Sequence, residues 1–323
     1  MFLLVGTTAC GGGYDEPPPY DIDFEIPRTE AFAESLAAYG LFVEPLATLQ
    51  PAEGAYVYEL SSELFTDFAR KQRLIRLPEG TTATVSADGD LRFPDATILA
   101  KTFYYPADMR DDDGPRRVIE TRLLVLADGR WNVATYLWTD DQTDAVLLLD
   151  GTTTDVSWTD AQGQAMATEY SVPHEGECVT CHQDDGASDV IGPTLRNLNR
   201  TVVRGGVEVN QLDHLAAAGV LDGADPRTAP SIADDADVSL PLDARARAWL
   251  DINCAHCHRP GGWDEASRPE LDLRVETPLH LTGVERTARE MQRQLRTGRM
   301  PYLGTTLVDD EGIRLVADYL DSL

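Results

Sequence analysis

Four of the five cysteines in the chain occur in two copies of one short pattern. The pattern is Cys-x-x-Cys-His, in which an imidazole directly follows the second of two closely spaced thiols. The two copies are Cys178, Cys181 and His182, in "EGECVTCHQDD", and Cys254, Cys257 and His258, in "LDINCAHCHRPGGW". These residues have the clearest capacity for chemistry in the sequence, and their spacing indicates which chemistry that is.

A Cys-x-x-Cys pair alone is common to zinc sites and redox dithiols. The adjacent histidine favours covalent haem attachment, because two thiols can add to the two vinyl groups of one haem while the imidazole binds its iron. A four-cysteine zinc site with incidental histidines, or a disulfide within each pair, is the alternative. Since the complete pattern occurs twice, we predict two haem c groups, with His182 and His258 as the proximal iron ligands.

The segments around the second motif predict helices and a further iron ligand. "LDARARAWLDIN" predicts a helix that leads into the motif, and "GVERTAREMQRQLRTG" predicts one that ends at Gly298. Met300 and Pro301 follow, and "DDEGIRLVADYLDSL" predicts a C-terminal helix. This order resembles that of class I cytochrome c modules, which implies that Met300 is the distal ligand of the second haem. His280 is the alternative.

The first motif has no equivalent methionine, because none occurs between Met166 and Met291. We therefore predict that His214, in "NQLDHLAAAG", is the distal ligand of the first haem. Gly192 and Pro193 resemble the class I segment whose backbone carbonyl accepts a hydrogen bond from the proximal histidine. The alternatives to His214 are His174, His256, Met166 and an open coordination position.

The elements that must position these groups begin with strands. Between residues 81 and 172, apolar and polar residues alternate and are broken at Asp-Gly and Gln-Gly turns. The clearest hairpin pairs 119–126 with 131–138 across Asp128 and Gly129. We predict an α+β fold, in which an antiparallel β domain, a sandwich or a curved sheet, precedes mainly α-helical cytochrome c-like haem modules. The β domain shows no catalytic group, and its aromatic residues are assigned to the core rather than to a ligand pocket.

Four segments are predicted along the chain. The sequence "MFLLVGTTAC" resembles the end of a bacterial lipoprotein signal, with Cys10 as the candidate lipidated residue, although an N-terminus with an incidental cysteine would look similar. The segments are 1–28, a signal remnant and flexible tether; 29–172, a mixed segment with helical candidates and then the β domain; 173–240, the first haem module; and 241–323, the second. No other stretch has the roughly 20 apolar residues of a membrane span.

The composition restricts the partners. The 323 residues carry a formal net charge of −28, which argues against binding to nucleic acid or to an anionic membrane surface. We expect redox protein partners with basic surfaces, and contact with a membrane only through an N-terminal lipid anchor.

Several phrases, among them "KTFYYPAD", "IGPTLRNLNR", "NQLDHL" and "DINCAHCHRPGG", resemble a family of bacterial diheme c-type cytochromes of largely unassigned role. The resemblance implies a protein of the periplasm or cell surface that transfers electrons through two covalently bound haems. The alternative is a diheme oxidoreductase, peroxidase-like or other, with an open first haem and a substrate pocket at the β domain. The sequence assigns no catalytic residue.

Overall fold

A computed structural model of the chain describes residues 32–86, 89–184, 187–188, 190–263, 270–301 and 303–323. The strands are β1 (Ala55–Val57), β2 (Arg70–Arg76), β3 (Ala83–Val85), β4 (Leu91–Arg92), β5 (Ile98–Pro106), β6 (Arg116–Ala127), β7 (Arg130–Trp138), β8 (Ala145–Leu148), β9 (Thr152–Thr159), β10 (Ala165–Val172), β11 (Gln183–Asp184), β12 (Ala187–Ser188), β13 (Thr201–Arg204), β14 (Val207–Asn210) and β15 (Leu221–Asp222). The α-helices are α1 (Glu175–Cys181), α2 (Leu195–Leu198), α3 (Gln211–Ala217), α4 (Leu242–Asn253), α5 (Val284–Arg296) and α6 (Asp310–Asp321).

A six-stranded antiparallel sheet, in the order β1-β2-β5-β6-β7-β8, forms the centre of the fold. Its longest strands confirm the predicted hairpin, since β6 and β7 pair from Glu120 with Leu137 to Ala127 with Arg130. The turn uses Asp128 at φ 52° and Gly129 at φ 71°. Two consecutive positive φ values match the right-handed twist of paired strands, which is why Asp-Gly fixes this register.

The two faces of the sheet differ in polarity. One face packs Leu74, Ala100 and Leu123 against the N-terminal segment around Leu36 and Leu49. The opposite face carries four polar side chains at directly paired positions of neighbouring strands, which we call the polar row. The polar row consists of Arg73, Lys101, Arg122 and Thr135.

Apolar clusters cover the sheet on either side of the polar row. At one end, Leu195 and Leu198 of α2 and Leu212 and Leu215 of α3 belong to the same core as Leu99 of the sheet. At the other end, the hairpin of β9 and β10 packs on β5. Helix α1 lies between these clusters, where the side chain of its Cys178 is hydrogen-bonded with Thr135.

Helices α4, α5 and α6 pack around a separate core at the C-terminus. Trp249 of α4, Met291 of α5 and Val316 of α6 are buried in it, and Cys254 and Met300 pack against it. No helix in the described part of the chain is long and apolar enough to cross a membrane.

The residues between β1 and β2 form an irregular stretch, 59–67, that we call the connecting segment. Several of the backbone groups in this segment bond to buried side-chain amides instead of a neighbouring strand. Asn197 accepts from Ser62 N–H at 3.0 Å and donates to Ser62 C=O at 3.1 Å. Gln211 bonds both backbone groups of Glu59, at 2.7 and 2.9 Å. Asn253 accepts from Phe65 N–H at 2.8 Å.

The predicted fold class, with mainly α-helical haem modules, is wrong. Helices α1, α2 and α3 have only 7, 4 and 7 residues. Strands β13 and β14 form a hairpin, and β15 joins β3 in parallel. Gly205 and Gly206 both have positive φ, at 59° and 79°, which suits a two-residue hairpin turn and makes "VVRGGVEVN" two strands. The chain is β-rich, with a large antiparallel sheet and six α-helices among the described residues.

The helical candidates within the mixed segment, predicted from the i, i+4 spacing of Phe32 with Leu36 and of Leu64 with Phe68, are not α-helices. Leu36 lies in a four-residue 3₁₀ helix, and Leu64 and Phe68 lie in irregular backbone. Phe68 has φ 62°, which an α-helix does not allow. Residues 70–76 form β2 instead. The adjacent residues Leu74 and Ile75 point to opposite faces of this strand and are both buried, so both faces are covered.

Replacing Asn197 with leucine should destabilise the fold by about 2–4 kcal/mol, because the backbone N–H and C=O of buried Ser62 would both lose their partner. Urea unfolding of the two proteins measures the difference. Gln162→Leu, at an exposed turn position, is the control and should change stability by less than about 0.5 kcal/mol. Equal midpoints for Asn197→Leu and wild type would show that the amide does not hold the connecting segment.

Candidate functional site

Both Cys-x-x-Cys-His motifs form the same hydrogen-bonded turn. In the first, the backbone N–H of His182 donates to the carbonyl of Cys178 at 2.9 Å, and in the second that of His258 donates to Cys254 at 2.8 Å. Residues three and four positions apart lie next to each other on such a helical turn. Each motif can therefore present its two thiols and its imidazole to one ligand.

The two motifs also meet each other. Sγ of Cys181, a ring nitrogen of His256 and Sγ of Cys257 all lie within 4.8 Å of one another. His256 occupies the second variable position of the second motif, and its side chain reaches Cys181 of the first motif. Its Nδ1 is buried and has no hydrogen-bond partner.

An ion pair fixes the helix before the second motif close to the first. Arg196 of α2 bonds both carboxylate oxygens of Asp251 in α4, at 3.1 and 3.0 Å. Asp251 also accepts the backbone N–H of Val275 at 2.9 Å. Both bonds come from one guanidinium nitrogen, Nη2, and these charge-assisted contacts tie α4 to α2 directly before the second motif.

Two cavities adjoin the motifs. The larger, of about 950 Å³, is lined by Cys181, Gly192, Pro193 and His256 among others, and its size lies within the range of cofactor pockets. The smaller, of about 150 Å³, shares those four residues and also contacts His182. Of the attachment residues, only Cys181 lies at the wall of the cofactor-sized cavity, beside the buried ring nitrogen of His256 that has no partner; the whole first motif lines the smaller cavity, and the attachment residues of the second motif line neither. This arrangement fits a covalently bound haem at the first motif.

The four thiols differ in acidity. Burial raises the pKa of Cys178 to about 11 and that of Cys254 to about 12. The hydrogen bond that Cys181 donates to Cys257 raises the pKa of Cys181, with burial adding to the effect, and lowers the pKa of Cys257. Cys257 is therefore the thiol that most readily becomes a thiolate.

The candidate distal ligands lie at different places. His214 is on α3, among residues that line neither cavity, whereas His256 lines both. Met300 packs against the same core as Cys254. The other candidates belong to separate secondary-structure elements: His174 caps α1, Met166 is on β10, and His280 is in the 3₁₀ helix Leu279–Leu281. Cys10 lies outside the described residues.

The sequence interpretation missed three cationic residues beside the first motif. Arg73, Lys101 and Arg122 line the smaller cavity together with Cys178 and His182. One signal was present in the sequence, because Lys101 is one of only two lysines in the chain and interrupts the apolar strand pattern of "ATILAKTFYY". No protein-family model, curated protein or solved structure matches the chain.

We expect Cys257 to be alkylated first when the haem-free chain, produced without haem attachment, is treated with iodoacetamide at pH 8. Its lowered pKa gives it a larger thiolate fraction than the other three motif cysteines, whose pKa values are raised. Peptide mapping over time measures the order. Cys181→Ala removes the hydrogen bond and should slow the reaction of Cys257. Faster modification of the buried Cys178 would contradict the assigned thiol order.

Proposed function

We propose that the chain is an exported diheme c-type cytochrome that transfers electrons between redox partners. Cys178 and Cys181 would hold one haem, with His182 as its proximal ligand. In the second motif, Cys254, Cys257 and His258 would do the same. The observation that carries the proposal is the matched turn, in which each histidine N–H bonds the carbonyl of the first cysteine of its motif. Bound haem iron supplies one-electron redox chemistry.

The proximity of the two motifs supports transfer between two centres within one chain. Cys181 and Cys257, one attachment residue from each motif, lie with their sulfurs within 4.8 Å. Groups attached at these residues would be neighbours, which suits a protein that passes electrons internally before it delivers them. The acidic surface, with a net charge of −28, favours basic redox proteins as partners.

Two residues are proposed as distal ligands. His256 is preferred to His214 for the first centre, because it lines the cavities at the first motif and its Nδ1 is buried without a partner. Met300 is proposed for the second centre, since it packs against the same core as Cys254. A thioether ligand favours ferrous iron, so the second centre should have the higher reduction potential.

Covalent haem attachment takes place after export, so the proposal includes a location in the periplasm or at the cell surface. Lipidation at Cys10 would tether the protein to the outer membrane. Its N-terminal segment, "MFLLVGTTAC", supports this part through its resemblance to a lipoprotein signal.

A second candidate is a metal ion bound by Cys181, His256 and Cys257. Their ligand atoms lie within 4.8 Å of one another, and two thiolates with one imidazole form a donor set that zinc uses, leaving a fourth position open. This site would use one residue of the first motif and two of the second, so it leaves the repeated pattern unexplained.

The haem proposal predicts two covalent haems per chain in a pyridine haemochrome assay. Replacing both Cys178 and Cys181 with alanine should leave one haem, and so should replacing both Cys254 and Cys257, because each pair forms its own thioether bonds. Elemental analysis of the same samples measures zinc as the comparison. A chain that contains no haem and one zinc ion, which is lost on His256→Ala, would replace the first candidate with the second.

We further expect His256→Ala and Met300→Ala each to create one cyanide-binding iron, which the wild-type protein lacks, because each change removes a distal ligand. Optical and paramagnetic-resonance spectra measure this, and Met300→Ala should also abolish the weak red band of sulfur-ligated ferric haem. His214→Ala is the control and should leave both spectra unchanged. New cyanide binding in His214→Ala but not in His256→Ala would restore His214 as the ligand.

A further inference from the structure

The polar row places three cations side by side on one face of the sheet. Arg73 of β2 is paired directly with Lys101 of β5, and Lys101 with Arg122 of β6. Like charges at directly opposite positions of neighbouring strands destabilise a sheet. Arg73 is only 4% exposed, so water cannot screen its charge as it would at the surface. Such a row needs negative charge from elsewhere.

The carboxylates around the row pair with two of its three cations, Arg73 and Arg122. Arg73 forms an ion pair with Glu63, at 3.1 Å between Nη1 and Oε1. Arg122 bonds Glu120 at 2.9 Å through Nε and at 2.5 Å through Nη2. Across the described residues, no carboxylate lies within ion-pair distance of Lys101, whose ammonium instead lies 4.8 Å from the ring centroid of Phe103. Among the described residues, the middle of the row therefore has no ion-pair partner.

This part of the polar row faces a cavity. Arg73, Lys101 and Arg122 line the cavity of about 150 Å³, and Nη2 of Arg73 is buried there without a hydrogen-bond partner. Burial is the main cause that lowers the pKa of Lys101, and the neighbouring cations lower it further. Glu177 also lines the cavity, but among the described ion pairs its carboxylate lies near His174 and not near a member of the row, and it accepts the backbone N–H of His174 at 3.0 Å.

We propose that this cavity is an anion-binding site in which Arg73, Lys101 and Arg122 hold a carboxylate or an oxyanion of similar size. A cavity of about 150 Å³ is known to take a molecule as large as benzene, so a small carboxylate or phosphate fits. Guanidinium groups suit two oxygens of such an anion, and the ammonium of Lys101 supplies a point charge between them.

Two sources can supply that anion. One is a propionate side chain of a haem on the first motif, whose residues Cys178, Cys181 and His182 line the same cavity; this source rests on the proposed function. The other is a small free oxyanion or carboxylate, which would make the cavity a substrate or effector site beside the first centre. Binding of a free anion at this site does not depend on a bound haem.

The test compares the purified full-length protein with Lys101→Met, which removes the charge at similar length, and Lys101→Arg, which keeps it. Thermal unfolding and calorimetry are run with sodium acetate or sodium phosphate, and with sodium chloride at the same ionic strength. Arg227→Met is the matched control, since Arg227 is 87% exposed. Haem content is measured on every sample, so that failure of the proposed function is recorded separately.

For a free anion, acetate or phosphate should raise the unfolding temperature of the wild type and of Lys101→Arg beyond the effect of chloride. Lys101→Met should lose this rise and bind the anion about tenfold or more weakly. For a haem propionate, neither salt should bind, and Lys101→Met should lower one of two reduction potentials at unchanged haem content. Wild-type protein that binds neither anion, with potentials unchanged in Lys101→Met, would overturn the proposal.

Discussion

The connecting segment depends on side chains for its backbone hydrogen bonds, and much of the remaining structure is arranged to supply them. Buried backbone groups that lack a partner are costly, and this stretch has no neighbouring strand. The hydrogen-bond partners are instead the side chains of Asn197, Gln211 and Asn253, which belong to α2, α3 and α4. Asn253 directly precedes Cys254. One irregular segment therefore joins α2, α3 and the helix that leads into the second motif.

The other end of the connecting segment extends the same principle. Asp67 accepts the backbone N–H groups of Thr306 and Leu307, at 2.8 Å to one of its oxygens in both cases. These bonds hold the chain that follows Met300 against the connecting segment. Charge-assisted bonds to backbone N–H groups are stronger than neutral ones. The loop after α5 is thus positioned by a residue more than two hundred positions earlier, which no local sequence pattern encodes.

Local patterns did predict the elements that they alone determine. The three C-terminal helices were expected from apolar periodicity and end signals, and α4, α5 and α6 occupy those stretches. The β6–β7 hairpin followed from Asp128 and Gly129. In contrast, β15 exists only because Leu221 pairs with Ala83 across the fold. The same limit explains why the sequence favoured His214 over His256 as the distal ligand. No local pattern shows that His256, at a variable position of the second motif, lies beside Cys181 of the first.

The distribution of polar residues on the sheet explains where the first motif lies. One face of the sheet is apolar at both ends and polar in the middle, so a single apolar layer cannot cover it. Helix α1 and its thiols therefore lie over the polar row, between the two apolar clusters that cover the ends. The smaller cavity results from this arrangement, and it shares Cys181 and His256 with the larger one. Charges at the polar row and at the first motif would interact strongly, because both line one small cavity in the protein interior. An anion in the row would stabilise the oxidised state of a centre at the first motif, and by linkage oxidation would tighten anion binding. Redox state and anion occupancy would then depend on each other, which is what distinguishes a responsive redox centre from a passive carrier.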